Sequence, residues 1–132
     1  MRFNLKTSEH AQEVLLRLRD STRLTPNILA RYAISLSLNL PEPLENFNRS
    51  NRGLDFPRHV LTGKYDRLFQ ALIAHKEQRP ISEEEYFPTY LKAHLERGVD
   101  LLEQEYKYAG NFERFIVNLS ILGDGGNSSD LS

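Results

Sequence analysis

Residues 23–38 read RLTPNILARYAISLSL. Thr25 is a good N-cap, because its hydroxyl is placed to accept from a free N–H of the first turn. Pro26 suits the first helical position, where its missing N–H would be unpaired in any case. Leu29, Ala30, Ala33 and Ile34 then recur at helical spacing, and the closing Ala-Ile-Ser-Leu-Ser-Leu run predicts burial on more than one side. Pro41 and Pro43 stop the helix.

Working outward toward the N-terminus, a helix is predicted from about Ser8 to Asp20, capped by Thr7 or Ser8, with Glu9 in its first turn. Ala11, Val14, Leu15 and Leu18 make its apolar stripe. Ahead of it, Phe3 and Leu5 alternate with Arg2, Asn4 and Lys6, which predicts a short half-buried strand. A strand this short needs a partner. No second strand is evident nearby, so a second copy of the chain is one source for it. The order strand, helix, turn, helix is the ribbon-helix-helix arrangement, in which two protomers pair their strands and read the major groove. The alternative is an N-terminal arm packed on its own chain.

Toward the C-terminus, residues 40–63 hold three prolines and no helical period. Phe47, Leu54, Phe56, Val60 and Leu61 are predicted to pin this segment to the core. A clean helix follows at about 64–77, with Tyr65, Leu68, Phe69, Leu72 and Ile73 on one stripe. Ser82 to Glu85 is a capping box. Pro88 divides a short turn from a long helix at about 88–107, striped by Leu91, Leu95, Val99, Leu102 and Tyr106. Gly98 inside it costs about 1 kcal/mol against Ala, which points to a second helix packing closely there. A fifth helix is expected over 111–122 (Phe112, Phe115, Ile116, Leu119), then a flexible tail over 123–132. Leucine occurs 21 times and valine plus isoleucine 10 times, which favours helices over strands. The expected fold is mainly α: five helices and one short N-terminal strand in a single domain over 1–122, with a ribbon-helix-helix-like N-terminal half.

The chain has 132 residues, 39 % apolar, with mean hydropathy −0.52, enough for one modest core. No apolar run approaches the roughly 20 residues of a membrane span, and no secretory h-region is visible, so a cytoplasmic protein without membrane association is expected. There is no cysteine, which excludes disulfides, thiolate metal sites and cysteine nucleophiles. The net charge of −1 hides an asymmetry. Residues 1–80 carry 13 Lys+Arg against 8 Asp+Glu, and residues 81–132 carry 4 against 10. A basic half of this kind suits an anionic partner.

Catalysis finds little support. His10, His59, His75 and His94 sit in no metal-binding spacing, and no Walker A, G-x-G-x-x-G or G-x-S-x-G motif occurs. Glu83, Glu84 and Glu85 occupy a first helical turn, where the helix dipole explains them. Neither a catalytic residue nor a metal ligand is expected. Nucleic-acid binding reads better. Candidate DNA contacts are Arg2 and Lys6 on the strand, Arg17, Arg19 and Arg23 at the end of the first helix, Thr25 and Asn27 at the free N-terminus of the second, and Arg49, Arg52, Arg58 and Lys64. These cations must converge on one patch for that reading to hold.

Three words of the sequence, in this order and spacing, resemble the DndE family of the bacterial DNA phosphorothioation (DNA sulfur modification) system. They are residues 23–38, GKYDRLFQAL at 63–72, and LKAHLERGV at 91–99. The likeness runs over about residues 3–102. It implies a small helical protein that self-associates, as a tetramer, and binds duplex DNA, nicked duplex especially, through basic residues. It implies work alongside the other Dnd proteins, which replace a non-bridging phosphate oxygen by sulfur. The sulfur chemistry belongs to those partners, so no cofactor is expected here. Lys64 lies within a matching word; the other basic positions are lysine-rich in the family and arginine-rich here. Three further readings stay open: a ribbon-helix-helix transcriptional regulator, a DNA nickase, and an assembly subunit that never touches DNA.

Overall fold

The computed structural model describes residues 4–44, 49–110 and 112–123. It is mainly helical, with one two-stranded antiparallel sheet. In chain order the elements are β1 (Asn4–Lys6), α1 (Glu9–Thr22), α2 (Pro26–Leu38), β2 (Asp55–Pro57), α3 (Arg58–Leu61), a tight turn of 3-10 helix (Gly63–Tyr65), α4 (Asp66–Glu77), α5 (Glu83–Glu85), a π-helical turn (Tyr86–Leu91), α6 (Lys92–Ala109) and α7 (Phe112–Gly123). The five expected helices correspond to α1, α2, α4, α6 and α7. Phe3, Phe47, the Phe112 side chain and the tail from residue 124 lie outside what is described.

The partner of β1 is internal. Leu5 faces Phe56 across the ladder, with Asn4 opposite Pro57 and Lys6 opposite Asp55. Leu5 and Phe56 are buried while Asn4, Lys6 and Asp55 are exposed, so the alternation read from the sequence holds. Two further bonds, Thr7 N–H to the Leu54 carbonyl and Gly53 N–H to the Thr7 carbonyl (2.8 Å each), continue the pairing. A second copy is therefore not needed to complete this strand, and the ribbon-helix-helix reading loses the unpaired strand that motivated it. The partner lies inside the proline-rich 40–63 segment.

The centre of the fold is the crossing of α2 and α6. Leu29, Ala30, Ala33 and Ile34 of α2 meet Leu95, Gly98, Val99 and Leu102 of α6, all fully buried. A Cβ built on Gly98 would stand 1.9 Å from the Ala33 carbonyl oxygen, so only glycine allows the two backbones this close. Ser37, at the end of α2, accepts from Arg97 Nε and bonds His94 Nδ1, both at 2.8 Å. Arg97 also donates to the carbonyls of Ser37, Glu42 and Pro43, fastening the chain that leaves α2 onto α6.

Pro88 does not end the helical path. It lies in the π-helical turn, which carries the chain from the Ser82–Glu85 capping box into α6. A wider turn tolerates the missing N–H, and regular α-helix begins only at Lys92. On α4 the expected stripe is half realised. Phe69 and Ile73 are buried, whereas Tyr65, Leu68 and Leu72 are exposed.

Candidate nucleic-acid interface

α6 carries Glu96, Asp100 and Glu103 at i, i+4 and i+7, one acidic stripe on one helix face. That stripe runs beside α1. Glu96 is fully buried and accepts from the Ser8 backbone N–H (2.9 Å) and hydroxyl (2.6 Å), while Ser8 itself caps α1 by accepting from Ala11 N–H. His10 Nε2 lies 2.6 Å from Asp100, and Arg17 pairs with Glu103. The loop before β2 closes over the same stripe, with Arg49 between Asp100 (3.0 Å) and Glu96 (3.5 Å). Burial pushes the Asp100 carboxyl up, but His10 and Arg49 outweigh it and hold it below its ordinary value.

A second cluster centres on Asp66, the first residue of α4. Arg58 grips it with Nε (3.0 Å) and a terminal nitrogen (2.6 Å), and the hydroxyls of Thr62 (2.7 Å) and Tyr86 (3.1 Å) donate to it. Arg58 also reaches Glu83 and lies over the rings of Tyr86 and Phe87. The bonds to Asp66 and Glu83 hold the guanidinium pKa above its ordinary value. Burial raises the Asp66 carboxyl, and Arg58 and Thr62 more than offset it, so the net direction is downward. This cluster fixes the Gly63–Tyr65 turn, and with it Lys64.

The expected DNA contacts therefore separate. Arg17, Arg19, Arg49, Arg52 and Arg58 each meet a carboxylate: Arg19 takes Asp20 (3.1 Å) and Arg52 takes Glu9 (2.8 Å). They do not form one open basic track, because α6 and the neighbouring acidic side chains neutralise them in place. Arg2 lies outside the described residues, and Lys6 faces Asp55 across the ladder. Three positions do converge on the start of α2. Arg23 caps α1 in the left-handed region (φ 65°) with its side chain exposed and without an ion-pair partner among the described residues. Thr25 is the N-cap of α2 but makes no side-chain capping bond, so the first-turn N–H groups near Asn27 stay available.

Lys64 stands on the Gly63–Tyr65 turn, exposed, with Nζ 5.2 Å from the Tyr65 ring centroid. Arg31, absent from the expected contacts, lies 5.7 Å over the same ring and donates to the carbonyls of Val60 and Leu61. Arg31 sits at i+4 from Asn27 on the face away from the Leu29–Ala33 stripe, and that spacing is the signal that identifies it. Between α2 and α4 lies a groove of about 470 Å³ lined by Ile28, Arg31, Tyr32, Tyr65, Leu68 and Leu72, among others. α2 contributes no acidic residue to this surface. Among the described residues no group of three His, Asp or Glu is placed to share a metal ion, and no helix is long and apolar enough to cross a membrane.

The family model for the DNA sulphur modification protein DndE matches residues 4–109. The chain belongs to the DndE family. The match takes in the α1–α2 junction, Lys64, the Asp66 cluster and the whole of α6, and leaves α7 outside. It reaches a little further along α6 than the three sequence words do. Among solved structures the fold is similar to that in the crystal structure of DndE from Escherichia coli B7A, described as involved in DNA phosphorothioation modification. That likeness has a TM-score of 0.60 at 20% identity and covers 73% of this chain and 93% of the other. No curated protein is matched. In family terms, the cations without a carboxylate partner among the described residues that border the start of α2 and the Tyr65 ring (Arg23, Arg31 and Lys64) all lie inside the matched region.

Proposed function

We propose that this DndE-family chain is a non-catalytic DNA-binding subunit of the phosphorothioation machinery. It holds duplex DNA, nicked duplex by preference, for partner Dnd proteins that carry out the sulfur chemistry, and it acts as a cytoplasmic self-associating protein. The observation that carries the reading is the open N-terminus of α2 with Arg23 beside it, on a helix that brings no acidic residue, together with Lys64 exposed on the Gly63–Tyr65 turn. Backbone N–H groups and unpaired cations are what phosphate oxygens need, and neither discriminates sequence. The test is a titration of nicked and intact duplexes of one sequence across a salt series. The Arg23→Glu/Lys64→Glu double variant is expected to bind nicked duplex at least about tenfold more weakly, with a salt slope flatter by about one per lost phosphate contact. Affinity and slope equal to wild type would sink the proposal. Strong preference for one operator sequence would favour a transcriptional regulator instead.

A further inference from the structure

Among the described residues the exposed large apolar side chains fall into two groups. Tyr32, Tyr65, Leu68 and Leu72, with Val60 close by, edge the groove between α2 and α4; Leu68 is 54% exposed. Tyr108, 84% exposed, and Val117 stand on the last turn of α6 and on α7, neither of which lines the groove. Apolar surface gathered this way, rimmed by charge, marks a protein-facing site more than a nucleic-acid one, since phosphates gain nothing from leucine.

The charges decide what fits. Arg31 stands in the groove wall, and Arg67 lies on α4 next to the lining residue Leu68. The one carboxylate between Gly63 and Lys76 is Asp66, already taken by Arg58, Thr62 and Tyr86. A two-fold pairing of the groove with its own copy would set these cations against one another. Tyr108, of the second group, has the opposite surroundings, beside half-buried Leu101 and Glu105 on α6. Leu101, Glu105 and Tyr108 lie at i, i+4 and i+7 on α6, one stripe with a carboxylate at its middle, in a half of the chain that carries 4 Lys+Arg against 10 Asp+Glu. Glu105 has no ion-pair partner among the described residues.

We infer that the α2/α4 groove receives the Leu101–Glu105–Tyr108 stripe of a second copy, so that copies join head to tail. This rests on the self-association proposed above and assigns its two faces. A head-to-tail contact leaves one groove and one stripe free on every dimer, and further copies add until the ring closes. The apolar side chains meet as a helix laid in a groove, and Arg67 flanks Glu105.

The test uses the full chain in sedimentation velocity. Leu68→Glu/Leu72→Glu removes the groove and Glu105→Lys/Tyr108→Lys removes the stripe; every replaced side chain is at least partly exposed, and circular dichroism verifies the fold. Each variant alone is expected to be monomeric, with association weakened at least about tenfold. Mixed in equal amounts they are expected to give a heterodimer and nothing larger, because one intact groove and one intact stripe remain. Should a variant lose its fold, the charge pair replaces it: Arg67→Glu and Glu105→Lys each weaken association, and both together in one chain restore it. If the groove variant assembles as wild type does, or if the folded mixture stays monomeric, the placement is wrong while self-association stands. If wild type is itself monomeric throughout, self-association fails and this inference with it.

Discussion

Where α1 and the loop before β2 meet α6, cations are consumed. Arg17, Arg49 and His10 each lie against a carboxylate of the Glu96–Asp100–Glu103 stripe. Where α2 meets α4, cations meet no carboxylate. Arg31 and Lys64 lie over a tyrosine ring, and neither has a carboxylate partner among the described residues. The two surfaces are built from the same basic half of the chain. What separates them is the helix opposite: α6 turns three acids toward one, and α2 brings none to the other. Charge counted along a sequence is therefore not potential at a surface, because one long helix from the acidic half cancels part of the basic half.

The strongest way to break this contrast is Glu96→Ala. Glu96 is fully buried, and its loss strands the Ser8 N–H and hydroxyl and one side of Arg49. Removing one partner from a buried charged network costs about 3–5 kcal/mol, whereas an exposed pair is worth about 1 kcal/mol or less. Thermal and urea unfolding should show the large loss for Glu96→Ala and a small one for Arg17→Met, whose side chain is 55% exposed. Equal losses would mean that the α1–α6 contact is a surface decoration, and the division of the cations would lose its structural basis.

Much of the framework was legible in local chemistry. The Thr25-Pro26 start and the Ala11–Leu18 stripe are set by neighbours three or four residues away, and the glycine at 98 marks a close approach without naming Ala33 as its partner. The rest depends on residues far apart. β2 is three residues long and includes a proline, so it has no period to read, and it is a strand only because Leu5 lies opposite Phe56. The spacing of 96, 100 and 103 is visible in the sequence, but which cations it faces is decided by how α1 packs on α6. Periodicity identifies the apolar face of α4 without saying what covers it, and Tyr65, Leu68 and Leu72 stay exposed. At the site, Lys64 and Arg31 both lie within the family words, but that they share the Tyr65 ring is set by the packing of α2 on α4.

A third environment sharpens the comparison, because it sets a buried imidazole beside cations and no carboxylate among the described residues. His94 is fully buried between α2 and α6, with Nδ1 on Ser37 and no partner for Nε2 among the described residues. Burial first, then the neighbouring charges of Arg97 and Lys76, push its pKa down to about 3. The unfolded imidazole titrates near 6.5. Between those values the unfolded chain binds the extra proton, so stability is full above about pH 6.5 and falls as the pH drops toward 3. The slope from this one group approaches about 1.4 kcal/mol per pH unit, or about 2 kcal/mol between pH 6.5 and 5. His94→Gln should flatten the urea-midpoint profile over that range by this amount; a variant as acid-sensitive as wild type would show that the imidazole accepts its proton in the folded state.

The smallest effect tests the contrast at the DNA itself. Arg17→Glu and Lys64→Glu make the same change of two charge units on the two kinds of surface. Arg17 is already paired with Glu103, so the phosphate backbone meets a neutral pair, and reversing it leaves Glu103 with Lys107 still beside it. Lys64 is exposed and offers its ammonium outward from a turn held by the Asp66 cluster, so reversing it removes a phosphate contact. Binding of nicked duplex across a salt series should therefore lose about one unit of log–log slope in Lys64→Glu and change little in Arg17→Glu. The reverse ranking would mean that phosphates displace Glu103 from Arg17. The α1 face would then be the DNA track after all, its ion pairs serving to hold the arginines in place until DNA arrives.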